Sequence, residues 1–109
     1  MRILLLDGET RSALAVVRSL GMLGHQVLCA SHDPLQLAGA SKHAVVSLLC
    51  PDPRGEKDEY LSWLHRALKE HEPEVLIPVT DASLATVLIE ESAIRSLTEL
   101  PVVNKDVFE

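Results

Sequence analysis

The chain alternates between short unbroken apolar runs and longer stretches with helical spacing. The runs are "RILLL" (2–6), "QVLCAS" (26–31), "AVVSLL" (44–49) and "EVLIPV" (74–79). The first two are continuous enough to be strands covered on both faces. The third is low in polarity and rich in β-branched residues, again as in a strand. Between the runs the period changes. Over 11–24, Ala13, Val16, Val17, Leu20 and Gly24 share one helical stripe, and Gly21 and Gly24 suit a helix end. Over 56–71, Tyr60 or Leu61, Leu64, Ala67 and Leu68 form an inner stripe, the first turn is acidic, and Pro73 stops the helix. "DASLATVLIEES" (81–92) predicts a third helix with Thr80 or Asp81 as its cap. Residues 32–43 carry Pro34 and Gly39 and predict a loop with at most one helical turn. "CPDPRG" (50–55) is a turn, 93–100 a short polar helix or loop, and "LPVV" (100–103) a fifth, edge strand.

This order predicts an α/β domain of three layers, doubly wound on a mostly parallel sheet of four or five strands in the order 3-2-1-4-5. Its 109 residues fit one domain, 1–109. Sheets of this kind bind ligands at the strands' carboxyl ends, where the strand order reverses. Here that point lies between the first and fourth strands, so "DGETR" (7–11) and "VTDAS" (79–83) become the two informative loops.

Composition narrows the field. Apolar residues make up 47% of the chain, but only Tyr60, Trp63 and Phe108 are aromatic, so the core is aliphatic. The net charge of −6, with its bases scattered among acids, excludes a nucleic-acid surface of the usual kind. Cys29 and Cys50 stand apart, within or beside apolar runs, and read as buried thiols. The five histidines and two cysteines have no metal-ligand spacing, so no metal and no catalytic residue is assigned. No run reaches membrane length, and the apolar start is too short for a signal peptide, so the expected location is the cytoplasm.

The first loop is a poor phosphate cradle. It offers Gly8 alone where a dinucleotide fingerprint needs three glycines, and Asp7 and Glu9 would repel phosphate. Asp33 lies where a ribose-gripping acid would stand, but without the phosphate loop it carries no dinucleotide site. A phosphoreceiver domain fits no better, since the third strand ends without an aspartate. The helix N-termini behind both loops still favour an anion. Thr10, Ser12, Thr80 and Ser83 add hydroxyls, Arg11 could hold a carboxylate or phosphate, and Asp7, Glu9 and Asp81 would suit an amine or hydroxyl. A mixed site of this sort suits an amino-acid-like ligand. Plainer roles compete: Thr10 and Asp81 as helix caps, Gly8 as a turn residue, and Arg11 as a solvated first-turn residue.

"ILLLDGETRSALAVVRSLGMLGHQVLCAS", "ASKHA", "PDP" and "EVLIPVTDAS" together resemble the amino-terminal domain of ATP-grasp ligases, in particular the carbamoyl-phosphate-synthase-like group. The resemblance spans residues 2 to about 105. It implies a Rossmann-like domain that precedes two ATP-grasp modules. Those modules hold ATP and magnesium, and the whole enzyme activates a carboxylate as an acyl phosphate before passing it to an amine. By the same resemblance, Asp7, Gly8, Glu9, Thr80 and Asp81 face the substrate cleft, and the domain itself holds no cofactor. The abrupt end leads us to expect a domain excised from a longer ligase. Two other functions stay open: a dimerisation or small-ligand-binding module, and a small Rossmann-type nucleotide binder.

Overall fold

The computed structural model describes residues 1–101. Eight elements follow one another: β1 (Arg2–Leu5), α1 (Arg11–Met22), β2 (Gln26–Ser31), β3 (Ala44–Leu49), α2 (Lys57–His71), β4 (Val75–Ile77), α3 (Asp81–Ile89) and α4 (Glu91–Arg95). The strands form one sheet in the order β3-β2-β1-β4. Every pairing is parallel. The expected order therefore holds through its first four strands. A fifth position begins beyond β4, where Glu99 bridges Val75 in parallel. Of the strand expected over 100–103, Leu100 and Pro101 are not in a strand, and 102–103 lie outside the described residues.

The layers follow from side-chain alternation. Leu5, Val27 and Cys29 point to one face and pack against Ala13 and Val17 of α1. Leu4, Leu6, Leu28, Ala30 and Leu76 point to the other, against Tyr60, Leu64 and Leu68 of α2, Val87 of α3 and Ile94 of α4. Three layers result, with right-handed crossovers setting α1 and α2 on opposite faces. Tyr60 and Leu61 both turn inward, so the α2 stripe is wider than a single row. Tyr60 also lies 5.7 Å from Trp63, ring centre to ring centre, at a tilted angle.

Three boundaries differ from the sequence pattern, each for a local reason. β4 stops at Ile77 because Pro78 has no N–H to continue the ladder. The expected helix 81–92 breaks into α3 and α4 at Glu90, whose φ of −120° and ψ of 41° are not helical. Gly21 lies inside α1 rather than ending it, with the His43 side chain pressed so close that a Cβ there would meet it at 2.5 Å. The turn itself falls to Gly24, at φ 87°.

β3 differs from the other strands. It is the sheet's edge, and its burial is shallow throughout. A bulge shifts its register between Val27 and Leu28 of β2. After it, Val46 to Leu49 pair regularly with Leu28 to Ser31.

Candidate functional site

β1 delivers Asp7 to the switch point. This residue is 4% exposed and has φ 62°, a left-handed conformation that aspartate tolerates better than most residues. The twist aims its carboxylate across the gap between β1 and β4. There Oδ2 accepts from Val79 N–H at 2.9 Å, from Thr80 N–H at 2.9 Å and from Ser83 Oγ–H at 2.5 Å. Charge-assisted bonds of this kind are among the stronger ones in proteins. They also occupy the N-terminal end of α3, where backbone N–H groups and the helix dipole favour an anion. The acidic residue that looked out of place in a phosphate loop is the anion that α3 receives.

The other loop residues sort around this clasp. Thr10 caps α1: its Oγ1 accepts from Ala13 N–H at 3.0 Å and donates to the Asp7 carbonyl at 2.8 Å. Thr80 caps α3, accepting from Ser83 N–H at 3.2 Å, and Asp81 is the first helical residue, exposed to solvent. The cap of α3 is thus Thr80. Arg11 and Ser12 are exposed at the start of α1. Glu9 is half-buried and turns toward β2, where its Oε1 accepts from Ser31 Oγ–H at 2.7 Å. The structure therefore brings Asp7, Thr80 and Ser83 into contact. It leaves Glu9, Arg11 and Asp81 around the rim.

Gly8 is enclosed. Its N–H donates to the Ala30 carbonyl at 2.9 Å, and its carbonyl accepts from Ala38 N–H at 2.8 Å. Gln36 lies directly over it, so that a Cβ on Gly8 would come within 1.9 Å of Gln36 Oε1. Gln36 is 3% exposed, and its Nε2 donates to Ser47 Oγ at 3.0 Å and the Leu48 carbonyl at 3.1 Å. The loop 32–43 thus folds back over the end of the sheet and binds to β3. Gly8 makes no open contact surface.

His32 is the residue that sequence reasoning passed over. It follows β2, with Nδ1 at 3.9 Å from Glu9 Oε1 and Nε2 at 3.9 Å from Asp52 Oδ2. These distances are too long for hydrogen bonds, and Nδ1 is buried without a partner. The one available signal was its position just past a strand's carboxyl end. Asp52 is held below the usual carboxylate range, first by the Arg54 backbone N–H and also by the charges of His32 and Arg54. Cys50 nearby is pushed up to about 12, chiefly by burial and further by Glu9, Asp7 and Asp52. Its thiol stays protonated and is no nucleophile at neutral pH. Burial likewise pushes Cys29 up to about 12 and raises Tyr60.

The grooves described on the surface lie elsewhere. One of about 380 Å³ runs between α2 and α3, lined by Asp58, Leu61, Ser62, His65, Ile89 and Glu90. Another, of about 470 Å³, lies over Leu68, Lys69, Glu72, Ser96 and Leu97. Among the described residues, no three His, Cys, Asp or Glu side chains are grouped to hold a metal, and no helix is long and apolar enough to cross a membrane.

No family model matches the chain, and no curated protein matches it by sequence. Among solved structures, the fold is similar to part of glycinamide-RNase-transformylase T from Mycobacterium tuberculosis. The match has a TM-score of 0.65 at 22% identity and covers 92% of this chain. It spans 28% of the transformylase chain. At that identity the likeness is one of fold: an α/β Rossmann-like domain that also occurs as a minor part of a much longer protein.

Proposed function

We propose that this chain is the substrate-cleft domain of an ATP-dependent carboxylate–amine ligase, inactive by itself. The observation that carries this reading is the Asp7 clasp. It fills the anion position of α3 with the protein's own carboxylate. A nucleotide phosphate brought to that crevice would meet a negative charge and find its donors already used. This weakens the nucleotide-binder reading and leaves the crevice as the wall of a cleft. The fold likeness to 28% of a longer transformylase chain supports the same reading, as do the segments "DGETRSALAVVRSLG" and "EVLIPVTDAS".

On this reading the clasp is the rigid support and the rim is the contact surface. Glu9 and Asp81 suit an amine or hydroxyl of the substrate, and Arg11 suits its carboxylate. ATP and magnesium belong to downstream modules of the same enzyme, and the work is done in the cytoplasm. Such a domain orients one reactant and supplies no group to the reacting atoms.

Calorimetry and steady-state kinetics test this. Residues 1–109 should bind neither ATP–magnesium nor NAD tightly. Joined to ATP-grasp modules, Arg11→Ala should raise KM for the carboxylate about tenfold or more while leaving kcat within about twofold. Tight ATP–magnesium binding by the 109 residues alone would overturn the proposal. So would a loss confined to kcat.

A further inference from the structure

The structure leaves one edge of the sheet unguarded, and from this we infer that β3 is a seam between two copies of the chain. The inference does not rest on the ligase reading. At the other edge, Glu99 continues the ladder past β4: its carbonyl accepts from Leu76 N–H, and its N–H donates to the Glu74 carbonyl, each at 2.9 Å. No such segment covers β3 among the described residues.

The free groups of β3 can be located. Cys50 N–H donates inward to the Ser31 carbonyl at 2.9 Å. Alternation along a strand then points Leu48 inward as well, and turns the N–H and C=O of Ser47 and Leu49 away from β2. Natural edges usually carry lysine, proline or an inward charge to prevent pairing. Residues 43–51, "HAVVSLLCP", hold no Lys, Arg, Asp or Glu, and the one proline comes after the strand. The bulge lies at the start of the strand and leaves Val46 to Leu49 regular. Apolar side chains are exposed along the strand, Val45 at 59% and Leu49 at 63%.

A second copy fits this edge best in the register that keeps to the regular stretch and leaves the bulged Val45 out. With the strands antiparallel about a twofold axis at Leu48, Ser47 of each copy faces Leu49 of the other. Both pairs exchange their N–H and C=O bonds, and every outward main-chain group of the regular stretch gains a partner. Leu48 then faces its own copy, and Val46 faces Cys50. The charges agree with this occupant. In a chain of net charge −6 the seam is neutral, which spares the copies repulsion where they touch. The antiparallel direction also sets the Lys42 end of each strand toward the Asp52–Arg54 end of the other, where those two side chains offset each other. The two four-stranded sheets become one continuous sheet, with β3 beside β3 at its centre.

Sedimentation and cysteine cross-linking test the seam on the 109-residue chain. The wild type should dimerise with rising concentration across the micromolar range. Leu49→Lys should weaken the dimer about tenfold or more while circular dichroism stays unchanged, because Leu49 is exposed in the single copy. Leu48→Cys sits on the axis as a non-hydrogen-bonded pair, where Cα atoms approach within about 4.5 Å, and should form a covalent dimer on mild oxidation. Ser47→Cys alone should not cross-link, but mixed with Leu49→Cys it should. Three results would each overturn the proposal: a monomer at every concentration, a dimer indifferent to Leu49→Lys, or cross-linking through Ser47→Cys alone. Capture of a different protein by an otherwise monomeric chain would count against it equally.

Discussion

The two sides of the sheet solve the same problem differently. Between β1 and β4 a strand end meets a helix start, and the polar groups are satisfied from within, by Asp7. At β3, among the described residues, the strand's outward groups are left to the solvent, in a stretch without charge. The first region is closed, its polar groups committed to one another. The second is open and available for pairing. Polar residues therefore do not by themselves mark a binding surface in this fold: the most polar loop is the most internally committed, and the plainest strand is the least.

The largest expected effect comes from breaking the closed side. Asp7→Ala should cost about 2–4 kcal/mol in denaturant unfolding, because two half-buried N–H donors and the buried Ser83 hydroxyl lose their acceptor. Asp7→Asn keeps one acceptor oxygen and should cost roughly half of that. If Asp7→Ala were nearly neutral, the clasp would not organise the site.

Gly8→Ala comes next. The added methyl displaces Gln36 from its bonds to Ser47 and Leu48, at an expected cost of about 1–3 kcal/mol. In a double-mutant cycle, Gln36→Ala should recover much of that loss, whereas strict additivity would exclude Gln36 as the obstacle. Thr10→Ala should cost about 1 kcal/mol through its cap. A cost as large as that of Asp7→Ala would mean that the cap, not the carboxylate, holds the loop.

The smallest effect belongs to the open side. Asp52 has its carboxyl lowered in the fold, so its contribution is present above the unfolded value and is lost as pH falls through the folded one. Its exposure keeps the contribution small. Asp52→Asn should lower stability slightly at neutral pH and flatten the acid limb, so that the difference from the wild type vanishes below about pH 4. A steeper acid limb in the variant would contradict that sign.

Much of this was legible in the sequence, and the reason is local physics. "RILLL" and "QVLCAS" are too continuous for a half-wet strand, and "YLSWLHRAL" keeps its period for two full turns. The alternation of strand and helix pointed to a parallel sheet, and the expected order is seen through β3-β2-β1-β4. The site was less legible. Glu9, Arg11 and Asp81 read as polar loop residues and are at the rim, while Asp7 read the same way and is buried. The difference lies in partners 72 to 76 residues away, which no local pattern contains. Gln36 was hidden for the same reason, since its role comes from a loop returning onto β3. The expected order already set "AVVSLL" at the edge, but its apolar composition gave no sign of how exposed its side chains are.

The sequence separation of the clasp also bears on how the molecule folds. Asp7 reaches its partners only after β1 and β4 have met, across the whole of α1, β2, β3 and α2. Contacts that close so long a loop are costly to form early. The clasp therefore acts after the folding barrier, as a bolt rather than a nucleus. Its removal should quicken unfolding and leave refolding almost untouched. Chevron kinetics of Asp7→Asn would show this in the unfolding arm, and a shift confined to the refolding arm would place the clasp in the nucleus instead. On that outcome, the internal carboxylate at the start of α3 would also govern how long the native sheet stays shut.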